Sequence, residues 1–313
     1  MSPLFLLSLA FAFIVGSNDG AALLAANLTG KAVRPVQGLA VLALAIVVVP
    51  LVLGTSVADT IAHGLVSFNA SEGQRALAIA VAVAIALIYV SSRLGLPTSV
   101  TQALTGAMIG AGIGAGLTVD LAAFGRVLLG LAIVPLVAGA AAIVVTRALI
   151  RLPVRGGLRD HLRHLHVGSY LLSVIAYAAN DGQKMMAVLA IAMSVAPADL
   201  RVPQLVALAI MFSLGTAYGV RRLAARFGRL LPHRPLNTIV AGYAAGLAVL
   251  GSAFAGAPVS MSHATTAGLI GSATVIETYR RVRWEQAIRI GATWLTTLPA
   301  ATILAALIAA TIR

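Results

Sequence analysis

The chain has 313 residues, of which 60% are hydrophobic and only 10% charged, and its mean hydropathy is +0.99. That mix excludes an ordinary soluble domain, where charged side chains make up about a quarter of the total. The formal charge of +13 invites a nucleic-acid partner, but the arginines cluster at the ends of apolar segments, where membrane topology explains them and nucleic acid does not.

In chain order, residues 3–28 form the first apolar segment, longer than the ~20 residues a helix needs to cross a bilayer, with Asn18-Asp19-Gly20 near its middle. The first basic residue is Lys31, so no cleaved signal peptide is expected. Residues 36–57 and 76–90 are further apolar stretches, with Asp59 at the end of the former. Segment 97–110 reads PTSVTQALTGAMIG and leads into a glycine-rich run through Gly112, Gly114 and Gly116. After the apolar stretch 127–145 comes a basic linker, 149–166, carrying Arg151, Arg155, Arg159 and Arg163 with His161, His164 and His166. The second half runs similarly: 167–195 with Asn180-Asp181-Gly182, then 202–218, 236–255, PVSMSHATTAGLIG at 258–271, and 287–310. No alternating strand pattern occurs, so helices must satisfy the backbone. The absence of cysteine excludes disulfides and thiolate metal sites.

Two unrelated words therefore recur about half a chain apart, at one offset to within a residue. In the longer word Pro97, Ser99, Ala103, Thr105, Ile109 and Gly110 meet identical residues, and Thr101 meets Ser262. The pattern predicts two copies of one unit, 1–148 and 167–313, joined by the linker 149–166. Basic connections (Lys31 and Arg34; Arg147 to Arg163; Arg221 to Arg234; Arg280 to Arg289) alternate with poor ones around 67–72, 117–120 and 197–201 if each half crosses five times. Five is odd, so the second half is expected upside down, with both termini outside and the linker cytoplasmic. The fold class expected is an all-α polytopic protein of two inverted-topology repeats with discontinuous helices or re-entrant hairpins, the broken polar segments marking a transport site.

Of the nine Asp and Glu residues, only Asp19 and Asp181 lie deep within long apolar segments. A carboxylate at that depth costs on the order of 3 kcal/mol on insertion scales, so it persists with a partner or a task. The bland reading is a structural helix–helix hydrogen bond; two such residues at matching places, each between Asn and Gly, weigh against it. Asn-Asp-Gly is also a poor helix interior, so both helices are expected to break there. Freed carbonyls beside Asn18, Asp19, Asn180 and Asp181 would offer oxygen ligands to a small hard cation such as Na⁺, or a protonatable carboxylate. The other word offers the opposite polarity. Pro97 and Pro258 suit a first helical turn, and Ser99, Thr101, Ser260 and Ser262 would set hydroxyls beside its free N–H groups, an anion site. The bland reading there is plain capping with small-residue packing through Gly106 and Gly110.

GSNDGAA at 16–22 and AANDGQK at 178–184 resemble the paired signatures of the inorganic phosphate transporter (Pit-type) family of low-affinity permeases. The family's P-x-S-[ST]-T-H words match Pro97 to Gln102 and Pro258 to His263, adding Thr98, Gln102 and His263 to the substrate candidates. The resemblance implies symport of inorganic phosphate with H⁺ or Na⁺, or of a neutral complex of phosphate with a divalent metal, in the cell's inner membrane. It implies no bound cofactor, no enzymatic activity and no nucleic acid; the lipid bilayer is the obligatory surrounding, and a homodimer is compatible with it. A sulfate branch of the family is the alternative. The chain departs from the family pattern at Ala22, where an Asn is expected (the next is Asn27), at Tyr177 or its neighbour for a His, and at Gln102 for a His. Loss of the Asn at 22 removes a Na⁺ ligand, and Asp19, with no lysine near it in sequence, is expected to be the more readily protonated carboxylate. Lys184, three residues after Asp181, would neutralise that carboxylate or touch the anion. Gln183 and Asp59 rank below these. The linker histidines read as a solvated face, and Trp284 and Trp294 as interface anchors. An intramembrane aspartyl hydrolase would also carry two buried aspartates, but in a Gly-x-Gly-Asp setting that is absent here; a passive channel would be a symmetric oligomer and not a duplicated chain.

Overall fold

The apolar runs become helices in this computed structural model, which describes residues 2–28, 32–68, 71–94, 98–151, 158–230, 235–276 and 284–311. The first repeat opens with α1 (Pro3–Val15), a π-turn (Gly16–Gly20) and α2 (Ala21–Leu28), one continuous rod. Next come α3 (Pro35–Leu53), a short α4 (Ser56–His63), α5 (Ser71–Leu94), α6 (Val100–Ala115) and α7 (Leu121–Leu149). The second repeat has α8 (Leu158–Tyr177), a π-turn (Ala178–Gly182), α9 (Gln183–Met193), α10 (Val202–Leu230), α11 (Pro235–Phe254), α12 (Met261–Ile276) and α13 (Trp284–Ala310). Among the described residues, seven helical rods are long and apolar enough to cross a membrane. With the rod α8–α9 and the short α6 and α12, each repeat holds five principal rods in the same order, the two-repeat arrangement expected. At 16 residues each, α6 and α12 are about 24 Å long, short of the roughly 30 Å hydrocarbon layer. Each is the second arm of a helical hairpin, behind α5 and α11 respectively.

The repeats are interlaced. Helix α6 lies along α13, and α12 lies along α7, so the closing helix of each repeat covers the short helix of the other. Glycine makes this approach possible: a methyl group at Gly110 would run into the Thr302 carbonyl, and one at Gly271 into the Gly139 carbonyl. The first rod crosses α10 in the same way, Gly16 against the Phe212 backbone and Gly219 against that of Ser17. One apolar core results, drawing Phe11, Leu104, Tyr177 and Phe212 from both repeats.

Several expectations need correction. The Asn-Asp segments do not break their helices; each widens by one π-turn, with the Ala21 N–H reaching back to the Gly16 carbonyl. Such π-bulges recur at functional sites. Pro258 is not in a first turn, since α12 starts at Met261; Pro97 lies outside the described residues. The apolar stretch 36–57 is two helices, because Gly54 (φ 84°) ends α3 before α4 begins. Helix α8 starts inside the stretch read as linker, while residues 152–157 lie outside the described residues. His166 is buried against Asn27 (Nε2 to Oδ1, 3.2 Å) and is not part of a solvated face. Half-buried Trp294 stacks on His263 with ring centroids 3.8 Å apart.

Candidate transport site

The sequence words meet where the two π-turns face the N-termini of the two short helices. Ser99 caps α6, its Oγ accepting from the Gln102 N–H at 3.3 Å, and Ser260 does the same for the His263 N–H at 3.4 Å. Ser260 and Ser262 share a hydroxyl contact of 2.9 Å. Thr101 donates across the repeat boundary to the Val259 carbonyl, 2.8 Å, and thereby ties the entrance of α6 to the entrance of α12.

In the second repeat the polar groups of the Asn-Asp turn are saturated. Lys184 is fully buried, and its Nζ donates to Asp181 Oδ1 (2.7 Å), Asn180 Oδ1 (3.2 Å) and the Val259 carbonyl (2.6 Å). The other carboxylate oxygen of Asp181 accepts from the Met261 N–H at 3.2 Å, the first residue of α12. Asn180 Oδ1 also accepts from the Val259 N–H (3.0 Å), and its Nδ2 donates to the Ala257 carbonyl and to Ser252.

In the first repeat they are not. Asn18 Nδ2 donates to Asp19 Oδ1 (2.8 Å) and to the Thr98 carbonyl (3.2 Å). Asp19 Oδ2 is buried and has no hydrogen-bond partner among the described residues. Ala22, the sequence counterpart of Lys184, adds only a methyl group to the contacts of α2 with α10. Asn27, the next asparagine along, is engaged with His166 and the Leu23 carbonyl. Asp19 and Asp181 nevertheless lie within electrostatic reach of one another and of Tyr177.

Two candidates serve the framework. Gln183 accepts from the Val57 and Ala58 N–H groups (3.0 Å each) at the start of α4 and donates to the Gly54 carbonyl (2.8 Å). Half-buried Asp59 accepts from Thr55 at 2.9 Å within α4. Of the candidates, Asn18, Asp19, Thr98, Ser99, Thr101, Asn180, Asp181, Lys184, Ser260 and Ser262 are joined through these hydrogen bonds and their shared short segments. Sequence reasoning missed the Val259 carbonyl as the meeting point, because a backbone acceptor carries no side-chain signature. It also missed Thr265, one turn into α12.

The family model of the phosphate transporter family matches residues 15–163 and again 155–305. The chain belongs to the phosphate transporter family. It is thus a multi-pass membrane protein of a carrier family and not an enzyme, which sets the hydrolase reading aside. The chain is 25% identical over 312 residues to a protein of Bacillus subtilis (strain 168) described as a probable low-affinity inorganic phosphate transporter, covering 96% of this chain and 93% of that one. Its fold is that of a solved structure titled the sodium-dependent phosphate transporter, with a TM-score of 0.83, 16% identity, and 99% and 98% of the two chains covered. The likeness in fold extends over both repeats of this chain.

Proposed function

We propose that the chain is a secondary carrier of inorganic phosphate, which binds between the entrances of α6 and α12 beside the two Asn-Asp turns. One observation carries this reading. Among the described residues, seven buried side-chain N or O atoms lack any hydrogen-bond partner, and six of them belong to Asp19, Thr98, Gln102, Tyr177, His263 and Thr265. Each such group costs about 1–3 kcal/mol unsatisfied, and all six lie on or next to the duplicated words. A tetrahedral oxyanion with many acceptor sites and a proton of its own answers that set. Hydroxyls and helix N-termini would donate to its oxygens, while Asp19 Oδ2 would accept from a protonated one. Sulfate has the same shape but no proton to donate at neutral pH, which favours phosphate over the sulfate branch.

Among the described residues, the only ammonium or guanidinium hydrogen-bonded to the two pairs of words is Lys184, and Asp181 already engages it. The anion's charge is therefore balanced by a co-transported cation, and Asp19 is the group that takes it. With Ala22 lacking an oxygen ligand, coupling to H⁺ or uptake of a neutral metal–phosphate complex fits better than strict Na⁺ dependence. The distribution of arginines orients the termini outside and the linker in the cytoplasm. Because the chain has no cysteine, a single Ser2→Cys variant labelled by a membrane-impermeant thiol reagent in intact cells checks that orientation.

The decisive experiment is uptake of radiolabelled phosphate into proteoliposomes under imposed Na⁺ and pH gradients, with sulfate as competitor. Uptake driven by the pH gradient and indifferent to sulfate is expected. Equal competition by sulfate would assign the sulfate branch, and uptake that needs Na⁺ and ignores the pH gradient would overturn the coupling reading alone.

A further inference from the structure

We infer that the Lys184 ammonium is a tethered cation that permanently fills the cation position of the second repeat, leaving the carrier a single exchangeable cation position, at Asp19. This rests on the carrier reading above and specifies its stoichiometry. Three acceptors surround Nζ: a carboxylate, a carboxamide and a carbonyl oxygen. Three acceptors require three donors, which an ammonium has and a neutral amine does not. The carboxamide orientation is fixed independently, since Asn180 Nδ2 is committed to Ala257 and Ser252 and Oδ1 to the Val259 N–H. The same trio of oxygen types is what a small hard cation takes from a protein.

The repeat supplies the comparison. Asp181 and Val259 of the second repeat correspond to Asp19 and Thr98 of the first. In the second, Lys184 Nζ bridges Asp181 Oδ1 and the Val259 carbonyl; in the first, Asn18 Nδ2 bridges Asp19 Oδ1 and the Thr98 carbonyl. One pair of oxygens is thus held by a fixed charge and the other by a neutral amide, which can rotate to present its oxygen. No charge of this chain neutralises Asp19 at hydrogen-bond distance among the described residues. An exchangeable cation therefore has one carboxylate to bind, not two.

The test measures cation and phosphate flux together in proteoliposomes for the wild type and for Lys184→Asn, which removes the tether and adds a ligand oxygen. Wild-type uptake should depend hyperbolically on the coupling cation. Lys184→Asn should make that dependence sigmoidal and raise the ratio of cation to phosphate by one. A loss of packing alone would lower the rate without changing the ratio. Should the variant fail to fold, the wild-type ratio decides: two cations per phosphate overturn this inference while leaving phosphate carriage intact. An unchanged ratio in a folded variant overturns it equally. Absence of any phosphate uptake by the wild type overturns the carrier reading, and the inference with it.

Discussion

At the second π-turn Asp181 has an ammonium on one oxygen and a backbone N–H on the other; at the first, Asp19 has an amide on one oxygen and, among the described residues, nothing on the other. The two turns share Asn-Asp-Gly and a π-helical backbone, and the difference comes from the next two residues of each helix, Gln183-Lys184 against Ala21-Ala22. Gln183 fastens α9 to α4 and Lys184 fills the turn, whereas α2 offers methyl groups. Duplication here has kept a scaffold and divided its labour. One copy is a closed electrostatic unit, and the other is open to a cation that comes and goes.

The sharpest way to break that comparison is to remove each carboxylate in turn. Asp181→Asn strands a buried ammonium and should destabilise the protein by about 3–5 kcal/mol, seen as a large drop in the unfolding temperature in detergent. Asp19→Asn removes a carboxylate with an unsatisfied oxygen, so it should leave that temperature unchanged or raise it, while abolishing uptake driven by a pH gradient. Equal destabilisation by both would show that the repeats are electrostatically alike.

The interlaced helices make the opposite prediction, that the repeats behave the same. Gly110→Ala and Gly271→Ala each push a methyl into a facing carbonyl and should each cost about 1–3 kcal/mol of overpacking. A marked difference in unfolding temperature between the two variants would show that one closing helix can move aside.

Smaller effects sharpen the picture further. Gln183→Leu leaves two N–H groups of α4 and the Gly54 carbonyl without their partner, at about 1–3 kcal/mol, and should change stability more than phosphate affinity. Thr101→Val deletes one neutral hydrogen bond across the repeat boundary, worth about 1 kcal/mol, but should weaken phosphate binding because it loosens α6 against α12. Uptake kinetics indistinguishable from wild type would remove Thr101 from the site.

Much of the fold is legible in the residues because a membrane restricts the options. Apolar length gives the spans, arginine placement gives their alternation, and two repeated words give the duplication. The glycines of segment 97–116 foretell a close helix contact, though not its partner, since nothing local to Gly110 points to Thr302 far along the chain. Gly54 hides within an apolar run, so α4 is invisible until its positive φ is seen. Asn18 and Asn180 look equivalent in sequence, yet one donates to its neighbouring carboxylate and the other accepts from a lysine, a distinction made by tertiary packing. His166 sits in a polar sequence setting, but its partner Asn27 comes from another helix and draws it inward.

The pairing of α6 with α13 also sets a schedule for synthesis. When α6 leaves the ribosome its glycine face has no mate, because α13 begins only at Trp284. At roughly 5–20 residues per second, the nascent chain must hold that face, and the polar entrance of α6 with it, for on the order of ten seconds or more. The insertion machinery or a provisional neighbour such as α5 must shelter it meanwhile. A ribosome that stalls before α13 leaves a chain that carries every residue of the candidate site but lacks the helix that covers α6, so quality control has a late event to inspect.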